Sequence, residues 1–202
     1  LGVEDENHRQ YVITAYVLGF GLPQLIYGPI SDRLGRRGPL LFGMVIYIGA
    51  AIAASFAPSF EALLALRFIQ GAGAAGTRVI AVSLVRDVFG GRAMAEVMSL
   101  VFMVFMIIPV IAPLAGQGVM LFSEWHMIFV LMAAVAAVAT VWTFVRLPET
   151  LPPERRRPFS VASVLGGFRI VVTNRLSFCY TIATTLLFGS LFGFINSAQQ
   201  IY

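Results

Sequence analysis

The sequence has few charges, a single cysteine, two histidines and no lysine, and each of these shortages excludes a class of protein. Only 12% of its residues are charged and 58% are hydrophobic, whereas a soluble domain carries about 25% charged residues. Cys179 lies in an apolar run, so cysteines cannot form a disulfide framework or a metal cluster. His8 and His126 supply no nucleophile–base pair and no metal-ligand spacing. The composition therefore predicts a membrane protein that crosses the bilayer several times, holds no metal or cofactor and is not an enzyme.

Long segments without charge predict the membrane spans, because a helix needs about 20 apolar residues to cross a hydrocarbon core about 30 Å thick. Five segments meet this requirement, near residues 10–31, 39–60, 97–123, 125–147 and 176–202. A sixth segment, 61–86, is apolar but contains Arg67 and Arg78. Arginine inside a membrane is costly, so hydropathy alone leaves the crossing of this segment open.

The distribution of arginine decides whether 61–86 spans the membrane. If it does, the basic residues within 33–37, 86–92 and 146–175 all lie on one side, and only Arg9 lies on the other. Cytoplasmic loops carry the excess of basic residues, so we predict that 61–86 spans and that the arginine-rich loops are cytoplasmic. Because this topology explains the basic residues, the pI near 9.7 gives no support to nucleic-acid binding.

Prolines divide the chain into predicted domains. The stretch 148–175 is the one long polar break, and its prolines prevent a continuous helix. We predict an N-terminal bundle over 1–147, a cytoplasmic linker over 148–175 and the first helix of a second bundle over 176–202. The polar start without methionine and the apolar end lead us to expect an interior piece of a longer chain.

The connection between the first two predicted spans reads G-P-I-S-D-R-L-G-R-R-G over 28–38. Gly35 allows the backbone to turn sharply. Asp32 can form charge-assisted hydrogen bonds with Arg33, Arg36 or Arg37, and such bonds can exist in one conformation and break in another. We therefore predict a conformational latch rather than a plain basic loop, which would need neither the aspartate nor the glycine spacing.

Two arginines within the predicted fourth span are candidates for a cavity wall. Arg67 and Arg78 are eleven residues apart, which returns to nearly the same face of a helix, and Gly71 lies on the stripe between them. Gln70 borders this stripe, and Tyr16 and Gln24 are further cavity candidates. The alternative is that each arginine extends to the nearer membrane surface. No acidic residue of the sequence lies in the middle of a predicted span, so the counter-charge of Arg67 is expected on a missing helix or on a substrate.

Pro109 and Pro113 lie near the centre of the span 97–123, with Gly116 close behind them. Their spacing of four places both lost backbone donors on one face of the helix. We predict a bend that gates a cavity, and the alternative is a static kink accommodated by neighbouring helices.

Several of these strings resemble one family of proteins. The string over 28–38 is similar to the signature between the second and third helices of major facilitator superfamily transporters. R-F-I-Q-G-A-G at 67–73 resembles the signature of their fourth helix, and P-V-I-A-P-L-A-G-Q-G at 109–118 resembles the antiporter signature of their fifth. V-R-D at 85–87 and L-P-E-T-L at 147–151 resemble the bicyclomycin-resistance (Bcr/CflA-type) branch of multidrug exporters. In two places the fifth-helix string departs from the antiporter pattern, with Ala112 in place of a glycine and Gln117 between two glycines.

The resemblance implies an all-α, partial major-facilitator bundle of about six transmembrane helices, covering helices two to seven of twelve. It implies that Gly28, Asp32, Arg33, Gly35 and Arg36 form the latch. It also implies that Arg67 belongs to a proton-coupling network whose acidic partner lies on the first helix, and that Pro109, Pro113 and Gly116 support the bend.

The implied activity is export of small drug-like compounds across the bacterial inner membrane by rocking of two six-helix bundles. The implied partners are a small-molecule substrate, protons and the lipid bilayer, for a protein that is monomeric at full length and is driven by the proton gradient. Two alternatives remain open at this point: an importer or symporter of a small metabolite, and a membrane sensor that transports nothing.

Overall fold

A computed structural model of the chain describes residues 6–156, 158 and 160–201. Within these residues it contains seven α-helices, one 3-10 helix and no strand. The helices are α1 (Glu6–Leu34), α2 (Arg37–Ser55), α3 (Phe60–Val88), α4 (Gly91–Phe122), α5 (His126–Arg146), the 3-10 helix (Pro153–Arg155), α6 (Val161–Thr173) and α7 (Arg175–Ile201). The structure confirms the predicted all-α class.

The described helices agree with a protein that crosses a membrane several times. Helices α1 to α5 each contain a segment long and apolar enough to cross, and a sixth span exists if α6 and α7 are counted together. These last two helices meet at an angle of 91° next to Asn174. Helix α1 extends beyond its predicted end at residue 31 to Leu34, which shortens the connection to α2 to two residues.

The chain divides into two compact units after Pro158. The first unit holds α1 to α5 and the 3-10 helix, and the second holds α6 and α7. The predicted linker, 148–175, lies in both units: its first part belongs to the first unit, and its second part contains helix α6.

Small residues bring α1 and α2 close to α3. Gly71 of α3 lies against the backbone of Tyr16 and Phe20 in α1. Gly73 of α3 faces Gly43 of α2, and a Cβ atom added to Gly73 would lie 2.6 Å from the Gly43 carbonyl oxygen. Helices in lipid associate through such close backbone contact rather than through a hydrophobic driving force. The glycine-rich stretch 71–76 therefore explains why α3 occupies the centre of the first unit.

The helix ends of the first unit meet at two opposite ends of the bundle. The ends of α1 and α3 and the start of α2 meet where Arg36 pairs with Asp87, and the end of α5 joins them where Arg37 contacts Phe144. We call this the basic end of the bundle. At the opposite end, Ala54, Ala57, Leu63 and Phe129 form a buried apolar cluster.

Candidate functional site

The turn between α1 and α2 consists of Gly35 and Arg36 alone. Gly35 has φ of 97°, a left-handed conformation that favours glycine. Its N–H donates a hydrogen bond to the carbonyl of Ser31 at 3.1 Å. A side chain at Gly35 would also overlap the carboxylate of Glu149. The prediction of a sharp glycine turn agrees with this geometry, but the turn is tighter than the predicted loop.

Arg36 holds the ends of three helices together. Its side chain is buried, with 3% of the residue exposed. Its Nη1 atom donates to Asp32 at 2.6 Å and to Ser31 Oγ at 2.7 Å, both on α1. The Nε atom donates to Asp87 at 2.8 Å, in the last turn of α3. Burial alone would lower the pKa of Arg36, but the hydrogen bonds and charges of Asp87 and Asp32 outweigh it and raise the pKa.

Glu149 binds the start of α2 from the segment that follows α5. Its carboxylate accepts hydrogen bonds from the backbone N–H groups of Arg36 at 2.8 Å and of Arg37 at 3.3 Å. It also accepts one from the N–H of Leu151 at 3.0 Å. A carboxylate at a helix N-terminus is stabilised by the free N–H groups and by the helix dipole. Partial burial acts to raise the pKa of Glu149, but the three backbone hydrogen bonds and the charge of Arg156 lower it overall.

Arg37 attaches α2 to the end of α5. One Nη2 atom donates to the carbonyl of Phe144 at 2.6 Å, and the guanidinium lies 5.1 Å from the centre of the Phe144 ring. Together, Arg37 and Glu149 join the end of α5 and the segment after it to the start of α2. We call the group formed by Ser31, Asp32, Arg36, Asp87 and Glu149 the basic-end network.

The structure brings together only part of the predicted latch. Asp32, Gly35, Arg36 and Arg37 meet at the basic end, as described above. Arg33 is exposed and makes no hydrogen bond or ion pair within the described part of the chain. Gly28 lies one helical turn before the network, where its carbonyl accepts the Ser31 hydroxyl at 2.8 Å.

Three members of the basic-end network were missed from the sequence, namely Ser31, Asp87 and Glu149. Asp87 and Glu149 lie in the V-R-D and L-P-E-T-L strings, so a signal was available. Nothing local in either string indicates its partner, because Arg36 is separated from Asp87 by 51 residues and from Glu149 by 113.

Arg67 lies among aromatic side chains in the membrane-spanning part of α3. Its guanidinium is 4.6 Å from the centre of the Tyr16 ring and 5.6 Å from that of Phe129. One Nη1 atom donates to Gln70 Oε1 at 2.7 Å, and Gln70 is fully buried. The Nε atom of Arg67 is buried and has no hydrogen-bond partner among the described residues. No described acidic side chain pairs with Arg67, in agreement with the sequence.

A cavity of about 630 Å³ opens beside this cluster. Such a volume suits a drug-sized molecule. Its described lining contains no charged residue, and its polar groups are the hydroxyls of Tyr16, Tyr47 and Thr77. All five long helices of the first unit contribute, through Tyr16, Met44, Tyr47, Ala74, Thr77, Ile108, Ala112, Ala115, Gly116, Ile128, Leu131, Met132, Val135, Ala136 and Ala139. We call this space the central cavity.

The remaining predicted cavity residues have different positions. Tyr16 and the predicted bend residue Gly116 line the central cavity. Gly71 is buried where α3 packs on α1, Gln70 is fully buried, and neither is part of the lining. The amide of Gln24 donates to the carbonyl of Phe20 in its own helix at 3.0 Å. Arg78 lies against two phenylalanines of α4, so the two arginines do not share the lining.

The predicted helix bend lies within a continuous helix. Pro109 and Pro113 both fall inside α4, which runs without a break from Gly91 to Phe122. The gating role of this segment stays a prediction. Helix α1 also contains two internal prolines, Pro23 and Pro29, which the sequence analysis did not single out.

Comparison with known proteins gives a family for the chain. The model of the Major Facilitator Superfamily matches residues 7–202. A bicyclomycin resistance protein homolog from Haemophilus influenzae is 31% identical over 96% of the chain and 48% of that relative. A chloramphenicol resistance protein from Pseudomonas aeruginosa is 33% identical over 95% of the chain and 45% of that relative. The multidrug resistance protein MdtM of Escherichia coli is 33% identical over 87% of the chain and 42% of that relative.

These matches confirm the resemblance drawn from the sequence strings, both to the superfamily and to its bicyclomycin-resistance branch. The chain spans about half the length of these relatives.

Proposed function

The chain belongs to the Major Facilitator Superfamily, and from this membership we propose that the protein exports small drug-like or toxic compounds across the bacterial inner membrane. The observation that carries the proposal is the central cavity, which is apolar, has the volume of a drug-sized molecule and lies beside Arg67. Relatives named for resistance to bicyclomycin, to chloramphenicol and to multiple drugs support the same activity.

The basic end of the bundle is the cytoplasmic end in this proposal. Arg36, Arg37, Arg86 and Arg92 lie at or next to it, and cytoplasmic loops carry the excess of basic residues. Compounds would then enter the central cavity from the basic end. They would leave at the opposite end of the bundle, where Ala54 and Phe129 belong to the buried apolar cluster.

The basic-end network acts as a latch in the proposed cycle. Arg36 is charged and bonded to Asp32 and Asp87, so the ends of α1, α2 and α3 move as one body while these bonds hold. Opening and closing of the cavity towards the basic end would require charge-assisted bonds at this level to break and form. Glu149 adds the segment after α5 to the same body.

Arg67 is the centre of proton coupling in the proposed cycle. A guanidinium without a carboxylate partner stabilises any carboxylate that approaches it and lowers the tendency of that group to take up a proton. We propose that this partner lies on a part of the complete protein outside the chain described here. Proton binding to the partner would weaken its pairing with Arg67 and allow the helices around the cavity to rearrange. The proton gradient supplies the energy, and no cofactor is needed.

Dye accumulation in cells tests the direction of transport and its coupling. Cells that express the complete protein should accumulate less of a fluorescent apolar dye than cells without it, and a protonophore should abolish the difference. Arg67→Met should abolish it as well. Arg92→Met is the matched control, because the Arg92 side chain is 94% exposed and its one ion-pair partner among the described residues is Glu96 on its own helix.

The same measurement distinguishes the alternatives. An importer would raise dye accumulation, and a sensor would leave it unchanged with and without Arg67. A difference in accumulation that survives the protonophore would contradict proton coupling while leaving export intact.

A further inference from the structure

Arg78 has a setting that the proposed transport cycle does not use. Its guanidinium lies 5.5 Å from the centre of the Phe102 ring and 5.4 Å from that of Phe105, both on α4. Contacts of this kind hold an arginine through the negative faces of the rings when the distance is within about 6 Å. Within the described part of the chain, Arg78 has no hydrogen-bond or ion-pair partner. Its positive charge is therefore held in place without being neutralised.

This charge lies at the border of the central cavity. Thr77, the residue before Arg78, lines the cavity, and so does Ile108, which follows Phe105 by three residues on α4. Helix α4 begins at the basic end, directly after α3 ends there, so Phe102 and Phe105 lie between the cavity and the basic end. A compound that moves between the basic end and the cavity along α3 and α4 passes the guanidinium of Arg78.

The cavity is thus flanked by two positive charges and by no negative charge among the described residues. Arg67 contacts the lining residue Tyr16, and Arg78 follows the lining residue Thr77. The two arginines are separated along α3 by about 16 Å, at 1.5 Å for each residue. Because none of the described lining residues carries a carboxylate, nothing in this part of the chain offsets the repulsion of a cation.

We propose that Arg78 is a specificity-determining residue that disfavours cationic compounds, so that uncharged apolar molecules are preferred. The carboxylate proposed as the partner of Arg67 lies near that residue, about 16 Å along α3 from Arg78, and so leaves the charge of Arg78 unbalanced. The proposal rests on the proposed function, since it names the substrate class of the same cavity. A unit charge about 7 Å from the guanidinium, at the effective dielectric constant of about 20 found near protein surfaces, changes affinity by at least about tenfold. Phe102 and Phe105 fix the guanidinium at this position and supply apolar surface along the same path.

A pair of probes with nearly the same shape tests the proposal. Triphenylphosphine oxide is uncharged, and methyltriphenylphosphonium is a permanent cation of similar size. Binding of each is measured by equilibrium dialysis against the complete protein in detergent, and transport of each is measured in proteoliposomes with an imposed pH gradient. The wild-type protein should bind the uncharged probe at least about tenfold more tightly than the cation.

Variants at Arg78 assign the preference to this residue. Arg78→Gln should raise the affinity for the cation about tenfold and leave that for the uncharged probe within twofold, whereas Arg78→Lys should keep the wild-type preference. Arg92→Gln, which removes an exposed charge, should change neither affinity. Should Arg78→Gln fail to fold, Arg78→His gives an independent test. Its affinity for the cation should rise as the pH is raised from 5.5 to 8, because the imidazole loses its charge over about this range.

The outcomes separate the two proposals. Discrimination in binding that depends on residue 78, without transport of either probe, would support the role of Arg78 and contradict drug export. Transport of both probes with an unchanged preference in Arg78→Gln would support export and overturn the role of Arg78. Tighter binding of the cation by the wild-type protein, or binding of neither probe, would overturn it as well.

Discussion

Two arginines of the first unit differ in how their charges are balanced. Arg36, at the basic end, is buried and bonded to Asp32 and Asp87. Arg67, within the span of α3, bonds the neutral Gln70 and contacts two aromatic rings. The first charge is neutralised by the chain itself, and the second is not. A balanced buried charge joins parts of a structure, whereas an unbalanced charge inside a membrane remains free to act on a ligand or a proton.

The comparison predicts that the two arginines serve different properties. Loss of Arg36 should mainly lower the free energy of unfolding, because the carboxylates of Asp32 and Asp87 would lose their partner. Loss of Arg67 should mainly lower transport, because no described carboxylate is left without a partner. Each of the following experiments tests this difference between Arg36 and Arg67.

The largest effect is expected from Arg67→Met. The proposed proton coupling needs a cation at this position, so proton-driven transport should fall at least about a hundredfold, an effect comparable with that of removing one key electrostatic group from an active site. The midpoint of thermal unfolding in detergent should fall by less than in Arg36→Met, since no described carboxylate loses a partner and the main loss is the hydrogen bond to the buried Gln70 Oε1. Transport in proteoliposomes and a thermal melt on the same preparation provide the two measurements.

Arg67→Lys sharpens this result. It keeps the charge but loses the planar group that bonds Gln70 and contacts Tyr16 and Phe129. Partial transport by the lysine variant would assign the role to charge, and none would assign it to the planar geometry. A large loss of stability in Arg67→Met would contradict the contrast with Arg36.

The second effect is expected from Arg36→Met, which leaves Asp32 and Asp87 without their shared partner. Breaking a buried ion pair costs about 3–5 kcal/mol, and the partial exposure of the Asp32 side chain, 42%, places the expected loss at about 3 kcal/mol. Denaturant unfolding of the complete protein measures it. Arg33→Met is the matched control, because the exposed Arg33 has no described partner and should cost less than about 0.5 kcal/mol. Equal losses in the two variants would remove the network from the explanation.

The sequence predicted one of these two sites better than the other. Arg67 was recognised as an unbalanced charge because every acidic residue could be counted and none falls in the middle of a span. The partners of Arg36 could be read only in part: Asp32 is four residues away on the same helix end, while Asp87 and Glu149 come from distant segments. Spacing along the chain indicates local pairs, and distant pairs depend on how the helices pack.

Contacts between helices are also difficult to predict from the sequence. The glycines at 71–76 of α3 lie against α1 and α2 in the structure. Helix α4 is the most apolar of the five spans, yet its residues are mostly exposed, as at Leu114 (65%) and Phe122 (90%). In lipid, hydrophobicity decides that a helix crosses, and small residues decide which helices approach. The central cavity, which requires the positions of five helices, was therefore beyond what the sequence could predict.

A smaller effect is expected from Gly73→Ala, which tests the packing that brings both arginines into one bundle. The added methyl group would meet the carbonyl oxygen of Gly43 at 2.6 Å and the backbone N of Tyr47 at 2.6 Å, so α2 and α3 must separate. Overpacking of this kind costs about 1–3 kcal/mol, and we expect about 2 kcal/mol by denaturant unfolding. Gly116→Ala is the control, because no described atom beyond its own stretch of α4 lies within 4 Å of the added Cβ. An unchanged stability of Gly73→Ala would mean that α2 and α3 can move apart at little cost in free energy.

The smallest effect is expected from Glu149→Gln, which removes the charge that binds the start of α2. The amide oxygen can still accept the two hydrogen bonds that Oε1 accepts from Arg36 and Leu151, so the loss should be about 1 kcal/mol at pH 7, as for other groups at a helix N-terminus. Because the folded-state pKa of Glu149 is lowered, its contribution is fully present above the unfolded-state pKa of about 4.5. It is lost as the pH falls from that value through the lower folded-state pKa.

The pH dependence separates the charge of Glu149 from its shape. The difference in unfolding free energy between wild type and Glu149→Gln should be constant from pH 6 to 8 and should shrink as the pH falls below about 4.5. Glu154→Gln is the control: Glu154 lies five residues further along in the exposed 3-10 helix, so its substitution should change stability at neither end of this range. A difference that persists unchanged at pH 3 would show that the carboxylate acts through packing.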